Sequence, residues 1–159
     1  MRKCSKQKVS MFLVIAVLLF GGINIVWYIN FDMYDKYKEG YEKFRTAYNK
    51  SNEEVDFTVK KPQYLSMQGN FSIGDKSQTV TIIIWPGIFF KEPFEYGVII
   101  RDEISNRQYM IYVDQDMKYL DKKNATIPPE EMREEKNVLK SKAKQIEVLY
   151  KMAKEEWNL

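Results

Sequence analysis

Twenty-one consecutive residues, Met11 to Phe31, carry no charge, and only Gly21, Gly22, Asn24 and Asn30 among them are not hydrophobic. As a helix this run rises about 31 Å at about 1.5 Å per residue, enough to cross the hydrocarbon core of a bilayer. A membrane segment at residues 11–31 leaves one domain's worth of chain, 32–159, and a ten-residue tail, 1–10.

The flanks set an orientation. The tail holds Arg2, Lys3, Lys6 and Lys8 and no acid, whereas Asp32, Asp35, Glu39 and Glu42 mix with Lys36, Lys38, Lys43 and Arg45 after the run. The positive-inside rule keeps such a tail in the cytoplasm and sends the domain outward. Trp27 and Tyr28 suit the outer interface. No A-x-A-like cleavage site follows the run, which is also longer than a signal-peptide core, so an uncleaved signal anchor is expected. Asn24, polar within the span, is read as a lipid-buried amide, with a contact to another helix as the sharper alternative.

The net charge of +3 records this orientation. The tail supplies four positive charges, and the remainder balances 21 bases against 22 acids. A nucleic-acid partner is therefore not expected, and the Lys118, Lys122, Lys123 and Lys140, Lys142, Lys144 clusters read as solvated surface. The chain has no histidine, and its one cysteine, Cys4, precedes the apolar run. Histidine triads, His or Cys metal sites and disulfides within the domain are excluded. Lysine outnumbers arginine 20 to 5, a bias that points to an AT-rich, low-GC bacterial genome. Three triplets, at Asn49, Asn70 and Asn124, match the glycosylation acceptor pattern and matter only in a eukaryote.

Periodicity predicts an α+β fold. Tyr34, Tyr37, Tyr41, Phe44 and Tyr48 recur at helical spacing, so the membrane helix is expected to continue into a juxtamembrane helix whose aromatic stripe packs on the sheet. Gly40 is its weak point. Val55, Phe57 and Val59 alternate with polar residues, as do Leu65 to Ile73; Gln78–Trp85, Tyr96–Asp102 and Gln108–Asp114 complete a five-stranded antiparallel meander. The last three strands are apolar on both faces, which requires a cover on each. One long amphipathic helix, opened by Pro129 and continued by Leu139, Ala143, Ile146, Tyr150, Ala153 and Trp157, is the expected C-terminal cover. Its first turns, Met132 to Val138, are expected in solvent.

The connection Trp85–Gly97 places Trp85, Phe89, Phe90, Phe94 and Tyr96 around Pro86, Gly87 and Pro93. Its rings either plug the sheet or, if exposed, form a partner surface or dip into the outer membrane interface, and they are the candidate interaction residues. No nucleophile motif, phosphate loop or dinucleotide turn is present, so no catalytic residue, cofactor or metal site is expected. The resulting expectation is a single-pass membrane protein, anchored in lipid through residues 11–31, that serves as an extracytoplasmic binding or scaffold subunit. Its partner would be a protein of a bacterial envelope assembly for secretion, transfer, division or sensing, with a homo-oligomer as a further option. Two alternatives stand beside it. One is an envelope enzyme or divalent-cation domain using Asp102, Glu103, Asp114 and Asp116, with the first pair near the hairpin end that carries the second. The other is a pilin-like subunit, which the run Lys8-Val9-Ser10-Met11 disfavours because the Gly-Phe and Glu of a processing site are missing.

Overall fold

Helix α1 (Lys3–Met33) carries the whole apolar run. The computed structural model describes residues 3–91, 93–102 and 106–159, with side chains from residue 10 onward. Between Ser10 and Tyr37 the helical stretch spans 28 residues and is long and apolar enough to cross a membrane. Its most apolar window is not buried at all against the rest of the chain.

The helix does not continue as the expected juxtamembrane helix. A single 3-10 turn, Tyr34–Tyr37, ends it, and the backbone reverses at Gly40 with φ of 78°. Residues 42–51 then form a hairpin of β1 (Glu42–Phe44) and β2 (Ala47–Ser51). Glycine costs about 1 kcal/mol inside a helix but takes up a left-handed turn freely. The aromatic residues around it are equally good strand formers. Tyr34 and Tyr37 thus stay with the helical end, while Tyr41 lies in the connection before β1 and Phe44 points to solvent, 61% exposed.

The sheet consequently has seven strands rather than five. After β2 come β3 (Val55–Lys60), β4 (Asn70–Asp75), β5 (Val80–Trp85), β6 (Glu95–Arg101) and β7 (Gln108–Val113), each antiparallel to its chain neighbours. Strand β4 starts later than its alternation predicts, because Leu65, with φ of 61°, sits in a turn. Direct pairing lines up Tyr48, Val59, Phe71, Ile84, Tyr96 and Val113 in one row across the sheet. Phe57, Ile73, Ile82, Val98 and Ile111 make the next row.

Both rows face the C-terminal helices. A single turn, α2 (Asp121–Asn124), precedes α3 (Pro129–Ser141) and α4 (Ala143–Trp157). The expected single helix is broken at Lys142, whose φ and ψ of −100° and 7° leave helical geometry. Immediately before it the Ser141 hydroxyl donates to the Val138 carbonyl at 2.7 Å, a back-bond that competes with the helical ladder. Helix α3 is not a solvated extension either. Glu135 is buried, and Glu134 accepts from the Tyr109 hydroxyl at 2.5 Å. At the other end Trp157 stacks on Phe71, with centroids 5.0 Å apart, and meets Phe57 edge-on at 5.7 Å.

The opposite face carries no helix among the described residues. Its β2–β4 portion is polar, with Asn49, Thr58 and Ser72 in one row, but the same row continues through Ile83, Gly97 and Tyr112. Side chains supply the cover there. A Cβ built on Gly97 would lie 2.9 Å from the Trp85 ring and 2.8 Å from Met110 Cε, so indole and thioether lie flat over the glycine. Trp85 also tilts against Tyr112 at 6.1 Å.

The β4–β5 connection forms where a turn is expected and is closed by Asp75. Its carboxylate accepts from the Val80 N–H at 2.7 Å, the Thr79 hydroxyl at 2.7 Å and the Ser77 hydroxyl. Burial alone would raise this carboxyl, but those donors outweigh it and hold it below the usual carboxylate range. A carboxyl depressed in the folded state adds stability above its unfolded pKa and loses it as pH falls through the folded value. Asp75→Asn is therefore expected to lower Tm most at about pH 7, with the gap to wild type closing towards about pH 3. Thermal unfolding followed by circular dichroism across that range measures it; a gap independent of pH would exclude the ionised role.

Candidate interaction site

One face of α1 near its end presents Asn24, Trp27 and Asn30 at three-residue intervals, followed by Phe31 and Tyr34. That spacing places polar groups in line on an otherwise apolar helix. Each finds a partner in the loops of the domain. The Trp27 indole N–H donates to the Gln63 carbonyl at 2.7 Å, and Asn24 Oδ1 accepts from the Tyr64 hydroxyl at 2.9 Å. Asn24 Nδ2 donates back to the Phe20 carbonyl of its own helix at 2.8 Å. The amide read from sequence as lipid-buried is thus held by the chain's own β3–β4 loop.

Asn30 is the most committed of the three. It is 1% exposed and uses both ends of its carboxamide. Nδ2 donates to the Met67 carbonyl at 2.6 Å, while Oδ1 accepts from the Phe89 N–H at 2.9 Å. One side chain therefore ties together the loop entering β4 and the loop leaving β5. Beyond it the Tyr34 hydroxyl accepts from the Gly69 N–H at 3.0 Å, in a buried position.

Ring contacts fill the space below. Phe90 packs on Tyr34 at 4.8 Å and stacks on Tyr37 at 5.0 Å, and both tyrosines touch Phe71. Lys61, 7% exposed, sits 3.6 Å above the centre of the Phe31 ring and pairs with Asp35 at 2.9 Å. A buried ammonium survives because ring face and carboxylate both compensate it.

The five candidate rings of residues 85–97 do not form one surface. Trp85 lies on the helix-free face of the sheet, and Phe90 plugs the junction with α1, where the Phe89 backbone is also bonded. Phe94 and Tyr96 line a cleft of about 340 Å³ with Glu95, Tyr112 and Lys123, and Tyr96 meets Tyr150 of α4 edge-on at 5.8 Å. The plugging expectation therefore applies to Phe90, while Trp85 serves the helix-free face and Phe94 and Tyr96 the cleft.

The acidic candidates separate as well. Asp102 follows β6 and Asp114 follows β7, and the pairing of Arg101 with Gln108 and of Tyr96 with Val113 puts them at opposite ends of the strand pair. Seven residue steps at about 3.4 Å each make that roughly 24 Å, so the expectation that the two pairs adjoin is wrong. Glu103 lies outside the described residues. Asp114 Oδ1 accepts from the N–H groups of Asp116 and Lys118, both at 2.9 Å, which makes it the lock of its own turn. No group of three or more metal-binding side chains occurs among the described residues.

The side chain of Asn124 is occupied too. Buried to 5% exposure, it exchanges two bonds with the Tyr112 backbone and thereby covers the outer edge of β7. It is no accessible glycosylation acceptor. Reasoning from sequence overlooked the roles of Asn30, Gln63 and Tyr64. The available signal was the three-residue spacing of Asn24, Trp27 and Asn30.

No family model matches the chain, and neither the curated proteins nor the solved structures contain a match. Tyr34→Phe keeps the ring but strands the buried Gly69 N–H, a loss worth about 1–3 kcal/mol. Urea unfolding of the detergent-solubilised chain is expected to report that decrease; an unchanged midpoint would mean that the hydroxyl closes nothing.

Proposed function

We propose that the chain is a signal-anchored, single-pass membrane protein whose domain faces outward and serves as a binding or scaffold subunit of a bacterial envelope assembly. The observation that carries the anchor is the contrast along α1. Phe12, Val17 and Leu18 in its first half are 69–75% exposed, while its last turns are locked into the domain. Exposed apolar surface of that extent calls for a cover, and the length of the run suits lipid. The basic tail orients the segment with its N-terminus in the cytoplasm.

Binding is favoured over catalysis by what the polar side chains already do. Asp114 closes its own turn, and Glu134 and Glu135 hold the tyrosines beneath α3. The partner is a protein of the same envelope assembly. The half-buried apolar end of the helix-free face, around Ile83, Ile99 and Tyr112, supports that reading because strands apolar on both faces are ordinarily covered on both.

Cys4 provides a test of orientation, being the only cysteine. A membrane-impermeant maleimide applied to intact cells should leave Cys4 unlabelled until lysis but should label a Cys4→Ser, Gln115→Cys variant at once. Labelling of Cys4 in intact cells would reverse the topology, and a mature mass lacking the N-terminal segment would replace the anchor by a cleaved signal. A photo-crosslinker at Tyr112 in native membranes should capture one specific envelope protein; a chain that stays monomeric and captures none would remove the scaffold role.

A further inference from the structure

The domain grips α1 deeper than the charge pattern requires. The first charged residue after the apolar run is Asp32, yet Tyr64 reaches back to Asn24, eight residues earlier. Along a helix this is about 12 Å. Were the membrane span to stop at Asn24, only the 13 residues Met11 to Ile23 of the apolar run would remain below it. They would rise about 20 Å, well short of the roughly 30 Å hydrocarbon core. The span therefore needs Trp27 to Phe31, and the loop bonded to that stretch descends with it.

The chemistry of the two gripping loops suits that depth. Tyr64 and Leu65 form the tip of a tight turn closed by the Ser66 N–H on the Gln63 carbonyl at 2.8 Å. They are 60% and 45% exposed, and Leu65 holds φ of 61°, where glycine or asparagine is usual. On the other loop Ile88 is 48% exposed, next to the Phe89 N–H that bonds to Asn30. Outside α1, five large hydrophobic side chains are exposed among the described residues, and Tyr64, Leu65 and Ile88 are three of them. Backbone groups flanking the tip are bonded to the helix: the carbonyls of Gln63 and Met67 take the Trp27 and Asn30 donors, and the Gly69 N–H goes to Tyr34. Each polar group satisfied in this way lowers the cost of bringing the flanks of the loop to the membrane interface.

Resting on the membrane-anchor reading, we propose that the turn 63–66 and Ile88 insert into the outer leaflet beside α1. The partner of this surface is the lipid of the anchoring bilayer itself. The domain is then held to the membrane by that end of its sheet in one orientation, with the β4–β5 hairpin tip at the end away from the bilayer.

Site-directed spin labelling of the full-length chain tests this. Cys4→Ser protein carrying a nitroxide at Leu65→Cys, Ile88→Cys, Ser77→Cys or Val14→Cys is reconstituted into phosphatidylcholine–phosphatidylglycerol vesicles, and circular dichroism checks that each variant keeps the wild-type spectrum. Power saturation compares collisions with oxygen, which concentrates in lipid, and with a water-soluble nickel chelate. The oxygen-to-nickel ratio at positions 65 and 88 is expected to exceed that at 77 severalfold and to approach that at 14. A high ratio at 14 with water-like ratios at 65 and 88 would overturn the insertion and leave the anchor standing. A water-like ratio at 14 would overturn the anchor, and the insertion with it.

Discussion

The carboxamide of Asn30 sets the position of everything after it. A buried amide left unpaired costs on the order of 1–3 kcal/mol, and this one has two partners drawn from loops that are far apart in sequence. Met67 leads into β4 and Phe89 follows β5, so a single side chain at the end of the apolar helix fixes the two middle strands of the sheet together. From there contact passes through Tyr34 to Phe71, and from Phe71 to the stacked Trp157 at the end of α4. The apolar helix is thereby continuous with the core rather than tethered to it.

The sheet resolves its two faces differently. One is closed by α3 and α4 over rows of Val, Ile and Phe, the ordinary α+β arrangement. On the other, Gly97 provides a flat floor on which Trp85 and Met110 lie, and polar residues take over from β4 outward. Apolar pattern on both faces thus reflects partly self-coverage, and leaves Ile83, Ile99 and Tyr112 half-buried at one end. Two of the polar groups that suggest chemistry in the bare sequence, Asp114 and Asn124, are occupied in holding a turn and an edge, as Asp75 is in its own connection.

Much of the architecture is legible in the residues alone. The apolar helix, antiparallel meander and C-terminal amphipathic segment follow from charge-free length and from periods of two and of three to four. What was illegible had two sources. The stripe from Tyr34 to Tyr48 fits a helix by spacing, but Gly40 decides the matter through a left-handed turn that periodicity does not register. The break at Lys142 likewise coincides with one hydroxyl, that of Ser141, turning back on its helix. Relations between distant segments were the second source. Nothing local in Asn30, Gln63 or Phe89 says that they meet, and the placement of Asp102 and Asp114 depends on strand register.

If Asn30 locks the two loops to the end of α1, the lock is visible at the amide it holds. Hydrogen exchange at Phe89, resolved by NMR on the full-length chain in micelles, tests it directly against an Asn30→Leu variant. Strong protection of the Phe89 N–H is expected in the wild type and its loss in the variant, with core amides such as Ile82 still slow. Equal protection in both proteins would contradict the lock.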